Sequence, residues 1–225
     1  MLDEPQCIVT VFVEGEGLDA ADLRQPPMLT KVARSLRAIH DLGEPLPTRF
    51  DSFRVVETYA DTARERGAPP PPAYEEALGH ARAIEAALSG PEHHPVPCHN
   101  DLLAANFIRG AEQLWIVDWE YAGMGDRYFD LANFAVNNEL GEGGELDLLE
   151  VYFAEPPSAR RVATLRLMKF MSDFREAMWG VVQTALSELD FDFEAYADKH
   201  FERMLATATD PDFAIWLEEA REPQG

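Results

Sequence analysis

Residues 96–108 read VPCHNDLLAANFI, and residues 114–120 read LWIVDWE. In the first stretch His99, Asp101 and Asn106 stand among apolar and small residues. Asp and Asn are common in turns, where their side chains bond nearby backbone groups. The ordered combination of H-x-D-x4-N, an apolar strand and then Asp118 is much rarer by chance. FIRGAEQLWIVDW contains two apolar strands around Gly110. A tight connection there pairs Arg109 with Leu114 or Trp115. Counting back three on each side sets Asn106 opposite Val117 or Asp118, with facing Cα atoms ~4.5–5.5 Å apart.

An amide oxygen and a carboxylate then meet at the open end of the hairpin. Both are hard oxygen donors of the kind Mg2+ prefers. Asp101, on the loop that enters the hairpin, sits beside the pair and is free to accept a proton. A carboxylate in that position orients an attacking hydroxyl in phosphoryl transfer. His99 has two readings: a general base, or a brace that hydrogen-bonds backbone.

Outward from this stretch, IVTVFV at residues 8–13 predicts a buried strand, and EGEGL predicts the turn that ends it. Met28, Leu29, Val32, Leu36 and Ile39 recur at helical spacing over 28–42, and Gly43 stops the helix. GAPPPP at 67–72 reads as a stiff surface loop. A second helix runs from about 73 to 88, with Tyr74, Leu78, Ala81, Ile84 and Leu88 inward and Gly90 and Pro91 ending it. DLANFAVNNEL reads as a helix started by Asp130 as its N-cap, and GEGGE at 141–145 breaks the chain. Helices follow at roughly 145–154, 158–189 and 192–208, with a short one after Pro211. Residues 162–182 are apolar on most sides and are expected to be largely buried. DFDFEAYADK at 190–199 alternates like a calcium loop but lacks the glycine at its sixth position.

The chain has 225 residues, 46% of them hydrophobic, and a formal net charge of -22. So acidic a chain repels phosphate backbones, which argues against a nucleic-acid partner. The same excess suits a cationic small molecule, a metal–nucleotide or simple solubility. No apolar run approaches the ~18 residues of a membrane span, so the expectation is a cytoplasmic protein. Cys7 and Cys98 are too few for a disulfide framework or a zinc site.

HNDLLAANFI together with IVDWEYAGMGDRYFDLANFAVNN resembles the choline/ethanolamine kinases and the wider aminoglycoside phosphotransferase-like group. The resemblance implies a mainly helical α+β chain, the large C-terminal lobe of a protein-kinase-like fold with a short catalytic hairpin. It implies ATP as co-substrate and Mg2+ as cofactor. By it Asp101 is the catalytic aspartate, Asn106 and Asp118 hold Mg2+, and Asp130 braces the catalytic loop through backbone N–H groups. Residues 1–20, with Val11 and Val13, resemble the last small-lobe strand and the nucleotide hinge, and residues 21–225 the large lobe. The rest of the small lobe, with its phosphate-binding lysine, has no counterpart in the 225 residues, and the expectation is a truncated chain that is inactive alone. WEYAG resembles the choline-kinase branch, where acidic and aromatic side chains contact a cationic head group. Glu120, Tyr121, Asp173 and Trp179 are the matching positions, although a Trp on an apolar helix is usually core. Asn137 stands near where that branch carries a glutamate. The expected acceptor is a small-molecule alcohol such as choline, ethanolamine or a related amino alcohol, with an aminoglycoside as alternative substrate. A non-catalytic small-molecule-binding module and an inert fragment are the alternatives to an enzyme.

Overall fold

The computed structural model describes residues 11–88, 90 and 93–221. Its spine is α7, Ala159–Leu186, against which α3 (Ser52–Glu65), α5 (Arg127–Asn137), α8 (Phe193–Ala208) and α9 (Phe213–Arg221) pack. α2 (Pro26–Leu42) lies on α6 (Glu142–Phe153), and α4 (Ala73–Ala87) on α9 and α7. A four-residue helix, α1 (Ala20–Leu23), is closed by a capping box between Asp19 and Asp22. Seventeen of the α7 residues are buried, among them Asp173, Arg175 and Glu176. Among the described residues no helix is long and apolar enough to cross a membrane.

α2 and α4 follow the expected periodicity. Met28, Leu29, Val32 and Leu36 are buried on α2, and Tyr74, Leu78, Ala81 and Ile84 on α4. α3 had no counterpart in the sequence reading. Its inward face, Ser52, Val56, Ala60 and Ala63, is too small and weakly apolar to register as a stripe, yet small residues let α3 approach α7 closely. The Asp51 carboxylate starts it by accepting from the N–H groups of Phe53 and Arg54. The N-cap of α5 lies four residues before the expected one. Asp126 is its N-cap, accepting from Tyr128 N–H, so Asp130 sits inside the helix. GEGGE does not break the chain, because Gly141 caps α6 and Glu142–Glu145 form its first turn.

The hairpin has the expected register. β3 (Phe107–Arg109) and β4 (Leu114–Ile116) pair Arg109 with Leu114 and Phe107 with Ile116. Val117 N–H donates to Asn106 C=O at 3.0 Å, one step further out. EGEGL is more than a turn. Glu16–Gly17 form β1, which adds to the free edge of β3 opposite Arg109 and Ile108. Gly15 permits this, since a Cβ there would lie 2.6 Å from Ile108 Cγ2 and 2.7 Å from Arg109 O. The strand expected over 8–13 falls partly outside the described residues, and Val11–Val13 are not strand. Val11 is 89% exposed, so the buried-strand expectation fails there. A second two-stranded sheet joins β2 (Val96–Cys98) to β5 (Gly123–Gly125) beneath the loop that carries Asp101.

The α7–α8 contact depends on one missing side chain. A Cβ on Gly180 would lie 3.0 Å from Ala197 Cβ and 3.2 Å from Phe193 O. Overpacking of this kind costs about 1–3 kcal/mol. Gly180→Ala is expected to lower the urea midpoint by a corresponding amount despite alanine's better helix propensity. An unchanged or raised midpoint would mean that the two helices separate freely.

Candidate active site

The loop His99–Asn106 links β2 to β3, and α5 holds its backbone from below. Asp130 is fully buried, with Oδ2 accepting from His99 N–H at 2.8 Å and Oδ1 from Asn100 N–H at 2.7 Å. Asn133 Oδ1 accepts from Leu102 N–H at 2.6 Å. Asn138 Nδ2 donates to Leu102 C=O at 3.0 Å. Asn100 takes the left-handed conformation, φ 66°, which Asn tolerates better than most residues. Its side chain donates to Tyr121 C=O at 3.0 Å, tying the loop to the segment after the hairpin.

His99 is buried, and both ring nitrogens contact backbone. Nε2 donates to Val117 C=O at 2.9 Å, and Nδ1 accepts from Asp101 N–H at 3.3 Å. That pattern is the neutral Nε2–H tautomer. Asp101 is 8% exposed. Asn106 Nδ2 donates to its C=O at 2.8 Å and to its Oδ2 at 3.3 Å. Among the described residues no hydrogen bond engages Asn106 Oδ1. Asp118 is exposed and also left-handed, φ 65°, directly after the residue that faces Asn106.

Opposite Asp101 lies Arg175, whose Nη1 donates to Asp101 Oδ1 at 3.3 Å and to Glu176 Oε1 at 2.7 Å. The guanidinium lies 4.5 Å from the centre of the Tyr121 ring. Burial pushes the Asp101 carboxyl above the ordinary aspartate range, and Arg175 offsets this only in part. Burial also opposes the charge on Glu176, but there Arg175 and the Tyr196 hydroxyl, 2.8 Å from Oε2, outweigh it and hold the carboxyl below its usual range. Trp179 Nε1 donates to Tyr121 Oη at 3.1 Å, and the Trp179 ring meets Phe193 and Tyr196 edge-on. Asp101 thus shares a partly closed corner with a second carboxylate, one guanidinium and several aromatic rings.

The sequence profile of "Choline/ethanolamine kinase" matches residues 5–140, more than half of the chain. The chain belongs to the choline/ethanolamine kinase family. It is 26% identical over 214 residues to ethanolamine kinase 2 of Rattus norvegicus, covering 83% of this chain and 55% of that protein. A choline/ethanolamine kinase family protein of Mesorhizobium loti superposes with a TM-score of 0.84 at 27% identity, covering 92% of this chain and 71% of that one. Choline kinase LicA of Streptococcus pneumoniae superposes with a TM-score of 0.72 at 25% identity, covering 85% of this chain and 66% of that one. The chain spans about half the length of the first curated relatives it matches.

In this member of the choline/ethanolamine kinase family the structure brings His99, Asp101, Asn106 and Asp130 onto one loop assembly, and Tyr121 and Trp179 into one contact. One expected position is engaged away from the loop. Asp173 is 1% exposed and is held by Arg203 and by His200 Nδ1 at 2.8 Å, so its charge is already neutralised away from the loop. Glu120 is exposed at the surface. The site residues that sequence reasoning missed are Arg175, Glu176, Asn133, Asn138 and Tyr196. The signal was present for the first two, since a charged pair inside a stretch expected to be buried has to find partners.

Proposed function

We propose that the chain carries the acceptor-side and metal-side half of an ATP-dependent kinase for the hydroxyl of a small amino alcohol such as choline or ethanolamine. The observation that carries this reading is Asp101, a carboxylate kept basic by burial on a loop whose backbone is tied at three points to α5 and at a fourth to its C-cap Asn138. The reaction transfers the γ-phosphoryl of ATP to the acceptor oxygen, releases ADP, and delivers the hydroxyl proton to an Asp101 oxygen. His99 holds Asp101 N–H and Val117 C=O, which sets the loop against the hairpin. Asn106 and Asp118 are the residues that would hold Mg2+, since one offers an amide oxygen and the other an exposed carboxylate on adjoining positions of the hairpin. When bound, the ion neutralises charge developing on the transferred phosphate.

Charge supports a cationic acceptor. Asp101 and Glu176 share the single guanidinium of Arg175, two carboxylates to one arginine, in a corner lined by Tyr121, Trp179 and Tyr196. Aromatic faces beside carboxylates favour an ammonium group. Val11 and Val13 remain proposed as hinge positions for the nucleotide.

The test is ADP release with saturating Mg-ATP and a panel of choline, ethanolamine, an aminoglycoside and a neutral sugar. An amino alcohol is expected to be turned over best. Trp179→Ala is expected to raise its KM by about 3- to 30-fold, the worth of one cation–π contact, with kcat affected less. Preference for the neutral sugar would overturn the cation pocket. Stabilisation by an amino alcohol without turnover would indicate a binding module instead.

A further inference from the structure

The Asp130 carboxylate has a third donor that the site described so far leaves unexplained. His40, on the inward face of α2, places Nε2 3.0 Å from Asp130 Oδ2. Its other nitrogen, Nδ1, lies 2.7 Å from the hydroxyl of Tyr152 on α6. Both side chains are buried, His40 3% and Tyr152 1% exposed. The hydroxyl is also 3.5 Å from Arg127 Nη1, and that guanidinium pairs with Asp41 at 3.2 Å at the surface.

Donor and acceptor roles run one way along this chain. Asp130 as a carboxylate only accepts, so His40 donates from Nε2. Nδ1 faces the Tyr152 hydroxyl, which can donate to it and in turn accept from Arg127. Burial raises the Tyr152 hydroxyl well above its ordinary range, so it stays a donor at any physiological pH. Polarised chains of this kind strengthen each member, and leaving one buried member unpaired is costly. A plain core position between α2 and α6 would be filled at lower cost by leucine and phenylalanine.

We infer that His40 and Tyr152 are positioning residues, a buried relay that fixes the Asp130 carboxylate and through it the backbone of His99 and Asn100. Neither touches the acceptor. They set the position of Asp101, one residue beyond the clamped amides. The functional meaning of the relay rests on the proposed role of Asp101, but its physical claim does not. Cys98 Sγ, His40 and Asp130 also place possible ligand atoms within 4.8 Å of one another. The relay accounts for the histidine and the aspartate without an ion, since both His40 nitrogens and both Asp130 oxygens already have partners.

The test uses the 225-residue chain and amide hydrogen exchange. His40→Leu is expected to speed exchange of the His99 and Asn100 amides by roughly 10- to 100-fold, the worth of a hydrogen bond to a charged group. Amides in the centre of α7 are expected to keep their protection. His40→Gln, whose amide can still donate towards Asp130, is expected to restore most of the loss. Tyr152→Phe removes a single oxygen and is the variant to read if His40→Leu does not fold, with a smaller acceleration at the same two amides. Unchanged exchange at these amides, or a uniform acceleration that includes α7, would overturn the relay. So would stabilisation by Zn2+ that His40→Gln abolishes, because the cluster would then be a metal site. In a polypeptide that turns over an amino alcohol, His40→Leu is expected to lower kcat about 10-fold, with acceptor KM within about 2-fold. Faster exchange with unchanged kcat would overturn the claim that the relay sets the position of Asp101, whose own role Asp101→Ala tests separately.

Discussion

Asp101→Ala is expected to lower kcat by roughly 10²- to 10⁴-fold, the usual worth of a positioned base, while the affinity for Mg-ATP changes little. The carboxylate is buried, raised above its ordinary range and assigned to neither metal nor nucleotide. On the proposed role, its removal acts on the acceptor hydroxyl. Steady-state kinetics in a polypeptide that carries the activity separates the two parameters. The pH profile gives a second reading. A base must be ionised, so the acid limb of kcat is expected above the usual aspartate range and absent from the residual activity of the variant. The linkage sign also follows. A carboxyl whose pKa is higher folded than unfolded lowers stability above the folded pKa and not below the unfolded one. Asp101→Asn is therefore expected to lose turnover without losing stability at neutral pH. Matching losses in a His99 variant, with Asp101→Ala nearly silent, would transfer the base role to the histidine despite its two backbone contacts.

Asp118→Asn is expected to lower kcat by about 10²- to 10³-fold and to shift the Mg2+ dependence to higher concentration. Asparagine is the informative replacement. Asp118 is left-handed, φ 65°, and Asn tolerates that conformation, so the change removes one charge and little else. The side chain is exposed, and the melting temperature is expected to stay close to that of the parent chain. The loss follows from charge neutralisation, because an amide leaves the ion and the developing phosphate charge with one fewer anionic ligand. A titration of activity against Mg2+ that superposes on the parent's would remove Asp118 from the metal site.

The features legible in the sequence are those whose cause is local. α2 and α4 were readable because each buries large apolar residues every three to four positions. The register of β3 and β4 was readable because a short connection leaves little choice of pairing. That register in turn set Asn106 against Val117. α3 was not readable, because its buried face is made of small residues whose fit to α7 is a property of the partner. β1 was not readable either. Glu16 and Gly17 have no strand pattern, and they become a strand only because the edge of β3 lies open beside them.

The candidate site divides the same way. His99, Asp101, Asn106 and Asp118 lie within twenty residues, so a loop and a hairpin suffice to collect them. Asp130 acts across 30 and 31 residues, Arg175 reaches Asp101 across 74, and His40 reaches Asp130 across 90. By itself the sequence determined the helical class of the chain, the hairpin and the order of the groups upon it, because periodicity and chain connectivity act over a few residues. Only the tertiary structure decided which buried polar groups face one another: that Asp173 pairs with Arg203 and His200, that Arg175 rests on Tyr121, and that α5 and α2 jointly hold the Asp101 loop. A buried charge must find a partner, but its own neighbourhood in the chain does not say which one, because that choice is made by how distant helices pack.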